Sequence, residues 1–176
     1  MKRIVIIGSG GHGRVVYDAI QMCGDLSIVG FIDQNLAVGT KIIDDCKVVL
    51  SQDELFKLPE ITDFFIVAIG NNKIRYSVFL EASKYSTPIT IIHPSVSISS
   101  DVEIKEGTLI LSNSTISTGV RIGANTIINS NVVVDHDSNI GMNVHLKIGT
   151  LIGSNSVVSD FSTTNIGEII LEFSAK

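Results

Sequence analysis

The first half of the chain alternates between short apolar runs and stretches whose apolar residues recur at helical spacing. The apolar runs predict strands at 3–7, 26–33, 63–70 and 88–93. The helical spacing predicts helices at 13–23, 51–58 and 72–85, the second of which begins at Ser51. Strands that alternate with helices are typical of a parallel sheet with crossover helices, so we predict an α/β domain over residues 1–90.

From residue 92 onward the apolar pattern has a strict period of six. Every sixth residue from Ile92 to Val158 is a large aliphatic, and the residue two places before each is small or β-branched. The series breaks at Thr164 and resumes at Ile170. A hexapeptide repeat predicts a parallel β-helix in which the aliphatic and small positions point inward. We therefore predict a second, all-β domain over residues 91–176.

The remaining positions of each hexad are expected to form corners, where Gly, Asn and Asp are common. We expect Gly123, Gly141 and Gly153 to adopt backbone angles that other residues avoid. After Val158 the repeat weakens, because Phe161 and the ending "IILEFSAK" do not fit hexads. We therefore predict a β-helix that is shortened at its C-terminal end, with "EIILEF" capping the open coil.

A glycine-rich loop follows the first predicted strand. "GSGGHG" (8–13) matches G-x-G-x-x-G and opens a helix, an arrangement whose amide groups suit a phosphate. Asp33 ends the second strand, twenty residues after Gly13, where an acid can meet a ribose hydroxyl. A dinucleotide oxidoreductase is the competing interpretation, but about 90 residues are enough for only one mononucleotide-binding half.

A second polar segment, "GNN" (70–72), lies at the carboxyl end of the third predicted strand, the usual ligand edge of a parallel sheet. Asn71 and Asn72 are candidates for ligand contacts, with a plain helix N-cap as the alternative. Arg75 is either a phosphate contact or a solvated helix residue, and we favour the solvated position.

The segment "VVVDHDSNIG" (132–141) places His136 between Asp135 and Asp137 at a predicted corner. An imidazole beside a carboxylate suits a general base, because the carboxylate fixes the tautomer and stabilises the imidazolium. The alternative is a solvated corner histidine among surface aspartates. The residues alone leave both interpretations open.

Composition and charge exclude several classes of function. The net charge is −5 and no basic stripe is present, which argues against a nucleic-acid partner. Cys23 and Cys46 form neither a metal pair nor a disulfide framework, as is typical of a reducing cytoplasm. No apolar run is long enough for a signal peptide or a membrane span. We expect a cytoplasmic protein with no membrane partner.

Five motifs together carry a family resemblance: "IIGSGGHGRVV" (6–16), "GFIDQN" (30–35), "VAIGNNKIRY" (67–76), "IIHPSVSI" (91–98) and "IINSNVVVDHDSNIGMNVHL" (127–146). With the hexads, they resemble the hexapeptide-repeat sugar O- and N-acetyltransferases that carry an N-terminal Rossmann-like domain. This group includes the sialic-acid O-acetyltransferases and the N-acetyltransferases of UDP-4-amino-4,6-dideoxy sugars. The resemblance implies an α/β Rossmann-like half domain followed by a left-handed parallel β-helix with three hexads per coil, assembled as a homotrimer.

The resemblance also implies roles for individual residues. His136 matches the catalytic base, and Asp135 or Asp137 matches the acid that orients it. Asn129 and His145 match positions on the acyl-donor side of the subunit interface, although a plain interface role remains open for His145. The nucleotide-sugar substrate would be bound by nine residues: Gly8, Gly10, Gly11, His12, Gly13, Asp33, Gly70, Asn71 and Asn72.

The function implied by the resemblance is transfer of an acetyl group from acetyl-CoA to the amine of a nucleotide-activated sugar. A UDP-4-amino-4,6-dideoxy sugar is the expected acceptor, used for a bacterial surface glycan or glycoprotein. The alternatives are O-acetylation of a sugar hydroxyl, as on sialic acid, and an inactive nucleotide-sugar-binding trimer without a complete acyl-CoA site. A zinc hydratase is disfavoured, because only His136 and His145 lie within the β-helix and no third ligand is close, so we expect no metal.

Overall fold

The computed structural model describes residues 1–171. Within this range the chain forms two compact units, Met1–Ile89 and a second unit that begins at Thr90. The predicted cap "EIILEF" runs into residues 172 and 173, which lie outside the described part of the chain. No helix in residues 1–171 is both long enough and apolar enough to cross a membrane.

The first unit is a six-stranded sheet with the strand order β3-β4-β2-β1-β5-β6. Its strands are β1 (Lys2–Ile7), β2 (Leu26–Asp33), β3 (Lys41–Ile43), β4 (Cys46–Ser51), β5 (Phe64–Val67) and β6 (Thr87–Pro88). The helices are α1 (Gly11–Met22), a 3-10 helix (Gln52–Lys57), α2 (Leu58–Ile61) and α3 (Asn72–Ala82). All strand pairs are parallel except β3 with β4.

The core of this unit lies around the central strand β1. Its residues Ile4 to Ile7 are at most 1 % exposed, since a central parallel strand is covered on both faces. The buried residues of α1 include Val16, Ile20 and Tyr17, which follow the helical spacing seen in the sequence. The strands predicted at 3–7, 26–33 and 63–70 and the helices predicted at 13–23 and 72–85 are present, and the segment predicted as a helix at 51–58 forms the 3-10 helix and the start of α2.

Two features of the first unit differ from the prediction. The antiparallel hairpin of β3 and β4 was not predicted, because β3 has only three residues and the apolar residues of β4 do not alternate clearly. The single strand predicted at 88–93 is divided between the units. Thr87–Pro88 pairs with β5, whereas Ile91–Ile92 is the first strand of the second unit.

The second unit is a β-helix built from two-residue strands. The strands form three parallel sheets in which each strand pairs with the one eighteen residues further along, as Leu109 pairs with Ile127, so three hexads make one coil. Sheet I contains β7 (Ile91–Ile92), β10 (Leu109–Ile110), β13 (Ile127–Ile128) and β16 (His145–Leu146). Sheet II contains β8 (Ser97–Ile98), β11 (Thr115–Ile116), β14 (Val133–Val134), β17 (Leu151–Ile152) and β19 (Ile169–Ile170). Sheet III contains β9 (Glu103–Ile104), β12 (Arg121–Ile122), β15 (Asn139–Ile140) and β18 (Val157–Val158).

The aliphatic residues of the hexads fill the interior of the β-helix, as predicted. One cluster of buried side chains joins all three sheets, and it includes Ile110, Ile116, Ile122, Ile128, Val134, Ile140, Leu146, Ile152 and Val158. The small positions are also buried, for example Thr126 and Ser138. Their hydroxyls donate to the carbonyls of Gly141 and Gly153 at 2.9 Å, which explains why small polar residues are tolerated inside.

The coils continue beyond Val158, where the repeat in the sequence weakens. Thr164 takes the inward position of the next hexad and is 3 % exposed. Its hydroxyl lies 2.8 Å from that of Thr150 and accepts a hydrogen bond from the amide of Lys147. These hydrogen bonds allow a polar side chain to occupy a buried position that is aliphatic in the other hexads. Ile169–Ile170 then pairs with β17. Phe161, which did not resemble a hexad residue, holds a regular corner position with φ +61°.

The explanation predicted for three corner glycines was also wrong. The left-handed backbone angles recur every six residues at other positions, for example at Asn125, Asn131 and Asn143. Gly123 and Gly141 have no positive φ. They are glycines because the next coil passes too close for a side chain: a methyl group at Gly123 would overlap the backbone amide of Met142.

Candidate functional site

The first unit carries an open pocket of about 400 Å³ at the carboxyl ends of β1, β2 and β5. This is the ligand edge of an open parallel sheet. Six of the nine residues predicted to bind substrate line it: Gly8, Gly10, Gly11, His12, Asp33 and Gly70. Gly13, Asn71 and Asn72 are not part of the lining.

Gly13 supports the loop without lining the pocket. A methyl group at Gly13 would overlap the carbonyl oxygen of Gly8, so helix α1 can approach the end of β1 only with glycine here. Gly8 has φ +107°, an angle that favours glycine, and its amide donates to the Ile32 carbonyl at 2.8 Å. The loop is thus fixed by close packing of backbone against backbone.

Asp33 joins the end of β2 to the glycine-rich loop. Its Oδ2 accepts from the amide of Ser9 at 3.0 Å and from the Ser9 hydroxyl at 2.5 Å, while Oδ1 accepts from the amide of Asn35 at 2.9 Å. Partial burial by itself raises the pKa of Asp33, but these hydrogen bonds outweigh it and hold the pKa below its ordinary value. Asp33 is therefore a charged group at the pocket, and Ser9 is a pocket residue that the sequence interpretation did not single out.

The residues after β5 have structural partners. Asn71 Oδ1 accepts from the amide of Ile74 at 3.1 Å, which makes Asn71 the N-cap of α3, the alternative given for it above. Arg75 is fully buried, and its Nη1 donates to the carbonyls of Ile69 at 3.0 Å and Gly70 at 3.3 Å. Burial lowers the pKa of Arg75 to about 10. The prediction of a solvated Arg75 was wrong, because the carbonyls that end β5 need a donor.

His136 lies at the corner between β14 and β15, between sheets II and III. Its Nδ1 is 2.8 Å from Oδ2 of Asp137, and its backbone amide donates to Oδ1 of Asp135 at 2.8 Å. Asp137 therefore orients the ring, whereas Asp135 holds the backbone. The side chain of His136 is 47 % exposed, and within residues 1–171 its Nε2 has no hydrogen-bond partner.

The two carboxylates set the electrostatics of this corner. The hydrogen bond to Asp137 raises the pKa of His136, slight desolvation lowers it, and the charges of Asp135 and Asp137 add to the rise. With the Nδ1 proton donated to Asp137, a neutral ring presents Nε2 as an acceptor. Such a pair can accept a proton from a nucleophile and stabilise the resulting imidazolium.

Asn129 and His145 lie at other parts of the β-helix. Asn129 follows β13, at the corner between sheets I and II, and its Oδ1 accepts from the amide of Ser130 at 2.8 Å. His145 begins β16 in sheet I, outside the aliphatic core, and is 8 % exposed. Neither residue shares a corner with His136 in the single chain, and the chain alone does not present His145 on an open surface.

The described part of the chain contains no group of three or more His, Cys, Asp or Glu residues arranged to hold a metal ion. The corner offers an imidazole and a carboxylate, and the pocket offers backbone amides and one carboxylate.

Fold and site together define a class: a hexapeptide-repeat β-helix protein with a Rossmann-like N-terminal domain. Residues 3–82 match the PglD N-terminal domain, and residues 101–136 match the bacterial transferase hexapeptide (six repeats). The chain is thus similar to hexapeptide-repeat transferases that carry this N-terminal domain. The predicted fold class, with a left-handed β-helix, and the family resemblance are confirmed.

Two curated relatives are each 34 % identical to the chain. UDP-N-acetylbacillosamine N-acetyltransferase of Bacillus subtilis (strain 168) aligns over 117 residues, which are 64 % of this chain and 52 % of the relative. GDP-perosamine N-acetyltransferase of Escherichia coli O157:H7 aligns over 118 residues, again 64 % of this chain and 52 % of the relative. The chain thus spans about half the length of the curated relatives it matches.

Two solved structures share the whole architecture. The acetyltransferase domain of PglB from Neisseria gonorrhoeae FA1090, in complex with acetyl coenzyme A, is 26 % identical with a TM-score of 0.74, covering 97 % of this chain and 85 % of that one. PerB from Caulobacter crescentus, in complex with CoA and GDP-perosamine, is 25 % identical with a TM-score of 0.75, covering 100 % of this chain and 97 % of that one.

Proposed function

We propose that the protein transfers an acetyl group from acetyl-CoA to the amine of a nucleotide-activated amino sugar, with a UDP-4-amino-4,6-dideoxy sugar as the expected acceptor. The observation that carries the proposal is the His136–Asp137 pair, which leaves Nε2 as an acceptor at an exposed corner. The names of the two curated relatives, both N-acetyltransferases of nucleotide sugars, support it.

The proposed reaction is general-base acyl transfer. The neutral sugar amine attacks the thioester carbonyl, so that a C–N bond forms while Nε2 of His136 accepts the proton of the amine. The C–S bond then breaks, and the thiolate of CoA leaves with the proton from the imidazolium. Asp137 stabilises the imidazolium between these steps through its 2.8 Å contact with Nδ1.

The pocket of the first unit is the proposed site for the nucleotide. The start of α1 would hold the diphosphate, because the first amides of a helix point out of its N-terminal end, where an anion is favoured. Asp33 lines the pocket at the end of β2, where an acid can meet a ribose hydroxyl. Asn71 is better explained as a helix cap than as a ligand contact.

A homotrimer is part of the proposal. The outward residues Val133, Leu151 and Ile169 stack in register on sheet II and are 36 %, 42 % and 61 % exposed. Ile148 and Ile166 are exposed at the corner beside this row. Such an apolar row fits a second copy of the chain. A neighbouring copy could also bring Asn129 and His145 to the corner of His136, which the single chain does not do.

A cytoplasmic location also remains a proposal. It is supported by Cys23 and Cys46, which are not joined in a disulfide, as is usual in a reducing compartment.

The decisive experiment measures CoA release from acetyl-CoA with UDP- and GDP-linked amino sugars and with sugars that offer only hydroxyls. We expect turnover with a nucleotide-linked amino sugar and a loss of about 100- to 10,000-fold in kcat for His136→Asn, since that is the usual contribution of a general base. The matched control is His93→Asn, because His93 is partly exposed and its Nδ1 meets the hydroxyl of Ser95 at 2.8 Å instead of a carboxylate.

The other outcomes separate the competing functions. Turnover only with hydroxyl acceptors would establish an O-acetyltransferase. Binding of a UDP-sugar in calorimetry without any transfer would establish a nucleotide-sugar-binding protein. Equal activity of His136→Asn and His93→Asn would remove His136 from the mechanism. Light scattering of the same samples measures the mass, and a monomer would contradict the trimer.

A further inference from the structure

Three corner residues, Asp101, Gly119 and Asp137, are stacked one coil apart at the edge between sheets II and III. Asp101 Oδ2 accepts from the amide of Gly119 at 3.0 Å and from the hydroxyl of Thr118 at 2.6 Å. The carbonyl of Thr118 in turn accepts from the amide of Asp137 at 3.0 Å. The peptide that carries Gly119 is therefore held by the coil before it and by the coil after it.

The carboxylate of Asp137 lies directly against Gly119. A methyl group at Gly119 would overlap Oδ1 of Asp137 and would come within 3.3 Å of its Cγ. The other oxygen of the same carboxylate, Oδ2, meets Nδ1 of His136 at 2.8 Å. The space left by the missing side chain of Gly119 is therefore where one half of the orienting carboxylate lies.

The backbone angle does not by itself explain the glycine. Gly119 has φ +70°, but equivalent corner positions with positive φ are filled by asparagine, as at Asn113 (φ +59°) and Asn131 (φ +58°), as well as by glycine, as at Gly149 (φ +71°). Asparagine tolerates this region. What distinguishes position 119 is its neighbour in the next coil, the carboxylate of Asp137.

We propose that Gly119 is a positioning residue for His136. Asp101 holds the backbone of Gly119 in place, and because Gly119 has no side chain, the carboxylate of Asp137 fits against it and stays in contact with the imidazole. The consequence for activity rests on the proposed function, whereas the placement of the carboxylate does not. The first atom that a methyl group would displace is the end of a side chain, so the coil can keep its fold while the carboxylate moves away from His136.

The test compares Gly119→Ala with Gly149→Ala. Gly149 has φ +71°, so both variants carry the same backbone strain, but the atoms nearest to a methyl group at Gly149 are those of Gly167, at 3.8 Å and beyond. The readout is the pKa of His136, followed by NMR titration of its ring protons in the full chain.

We expect the pKa of His136 to fall in Gly119→Ala and to stay at the wild-type value in Gly149→Ala. The fall is expected because the hydrogen bond from Asp137 is the largest cause that raises this pKa, while the charge of Asp135 remains. In a Asp137→Ala background, Gly119→Ala should then cause no further shift in this pKa and no further loss of kcat, as a double-mutant cycle requires of residues that act through one another.

An unchanged pKa of His136 in Gly119→Ala would overturn the proposal whatever the activity. A lowered pKa in a wild-type background that shows no acetyl transfer would keep the positioning role and reject the proposed function instead. If Gly119→Ala does not fold, Gly119→Asn takes its place, because asparagine is accepted at the equivalent corners. The same titration then decides between a fall and no change.

Discussion

The contact between Gly13 and Gly8 allows a sharp test of how the nucleotide pocket is built. In Gly13→Ala the new methyl group would overlap the Gly8 carbonyl oxygen and would lie 3.0 Å from its carbonyl carbon. Both atoms belong to backbone, and the Gly8 amide is tied to Ile32 at 2.8 Å, so the loop cannot yield as a flexible side chain would. Gly11→Ala is the matched control, since no atom lies within 4 Å of a methyl group there.

The expected magnitude follows from two contributions. Overpacking a close contact costs about 1–3 kcal/mol of the free energy of unfolding. Replacing glycine by alanine in a helix gains up to about 1 kcal/mol, and because both residues lie in the first turn of α1 this gain is similar in the two variants. It therefore largely cancels in their comparison. We expect Gly13→Ala to be less stable than Gly11→Ala by about 1–3 kcal/mol.

Urea denaturation of the full chain, followed by circular dichroism, measures this difference by linear extrapolation. Calorimetry with UDP should also show weaker binding to Gly13→Ala than to wild type, because the displaced Gly8 lines the pocket. Equal stability of Gly13→Ala and Gly11→Ala would refute the close approach of α1 to β1. If Gly13→Ala is destabilised but binds UDP as tightly as wild type, the contact between Gly13 and Gly8 is not needed for nucleotide binding.

Two further predictions concern the β-helix. In Asp137→Asn the pKa of His136 should fall, because the hydrogen bond that contributes most to its rise is removed. Activity requires the neutral ring, so the acid limb of the pH–rate profile should move to lower pH, while the maximal kcat should decrease. A pH–rate profile of kcat measures this, and an acid limb that stays in place would contradict it. Ile128→Ala should lower the free energy of unfolding by about 2–5 kcal/mol, because Ile128 is fully buried, whereas Val133→Ala, at a 36 % exposed position, should cost much less. Denaturation of both variants under the same conditions provides the comparison.

The sequence predicted the β-helix well because its repeat is a direct consequence of geometry. Three short strands per coil require an inward side chain every sixth residue, and the aliphatic series from Ile92 to Val158 records that requirement. The aliphatic series is interrupted where a polar residue takes the same inward position. Thr164 is buried with hydrogen-bond partners on Thr150 and Lys147. These partners lie 14 and 17 residues away in the sequence, so they leave no local signal.

The glycines show that the presence of a glycine in the sequence does not reveal which structural constraint requires it. Gly123 was assigned to an unusual backbone angle, but its role is to let the next coil pass close by, at the amide of Met142. The positive angles belong instead to residues such as Asn125 and Asn143, whose side chains also bond to each other at 2.8 Å between coils. Angle and close approach both select glycine, and only the position of the next coil distinguishes them.

The sequence predicted several residues of the candidate site, but not the contacts that most of them make. The glycine-rich loop and Asp33 do meet at one pocket, because the carboxyl ends of parallel strands share an edge. The burial of Arg75 could not be read from its helix, since the demand for a donor comes from the carbonyls of Ile69 and Gly70. The choice between Asp135 and Asp137 likewise depended on the corner geometry, where adjacent side chains point in different directions.

Comparing the carboxylates narrows the candidate chemistry to one of them. Asp33 and Asp101 have the same arrangement: each accepts from a backbone amide and from a neighbouring hydroxyl, Ser9 in one unit and Thr118 in the other. Both are therefore used to hold a turn of the backbone. Asp137 alone among these three contacts an imidazole, and the coil beneath it offers a glycine where a side chain would push the carboxylate away. A carboxylate that holds the backbone can be replaced by another hydrogen-bond acceptor, whereas a carboxylate that sets the tautomer and pKa of a histidine cannot. We therefore expect substitutions at Asp137 to change the pH dependence of kcat, and substitutions at Asp101 to act only through Gly119.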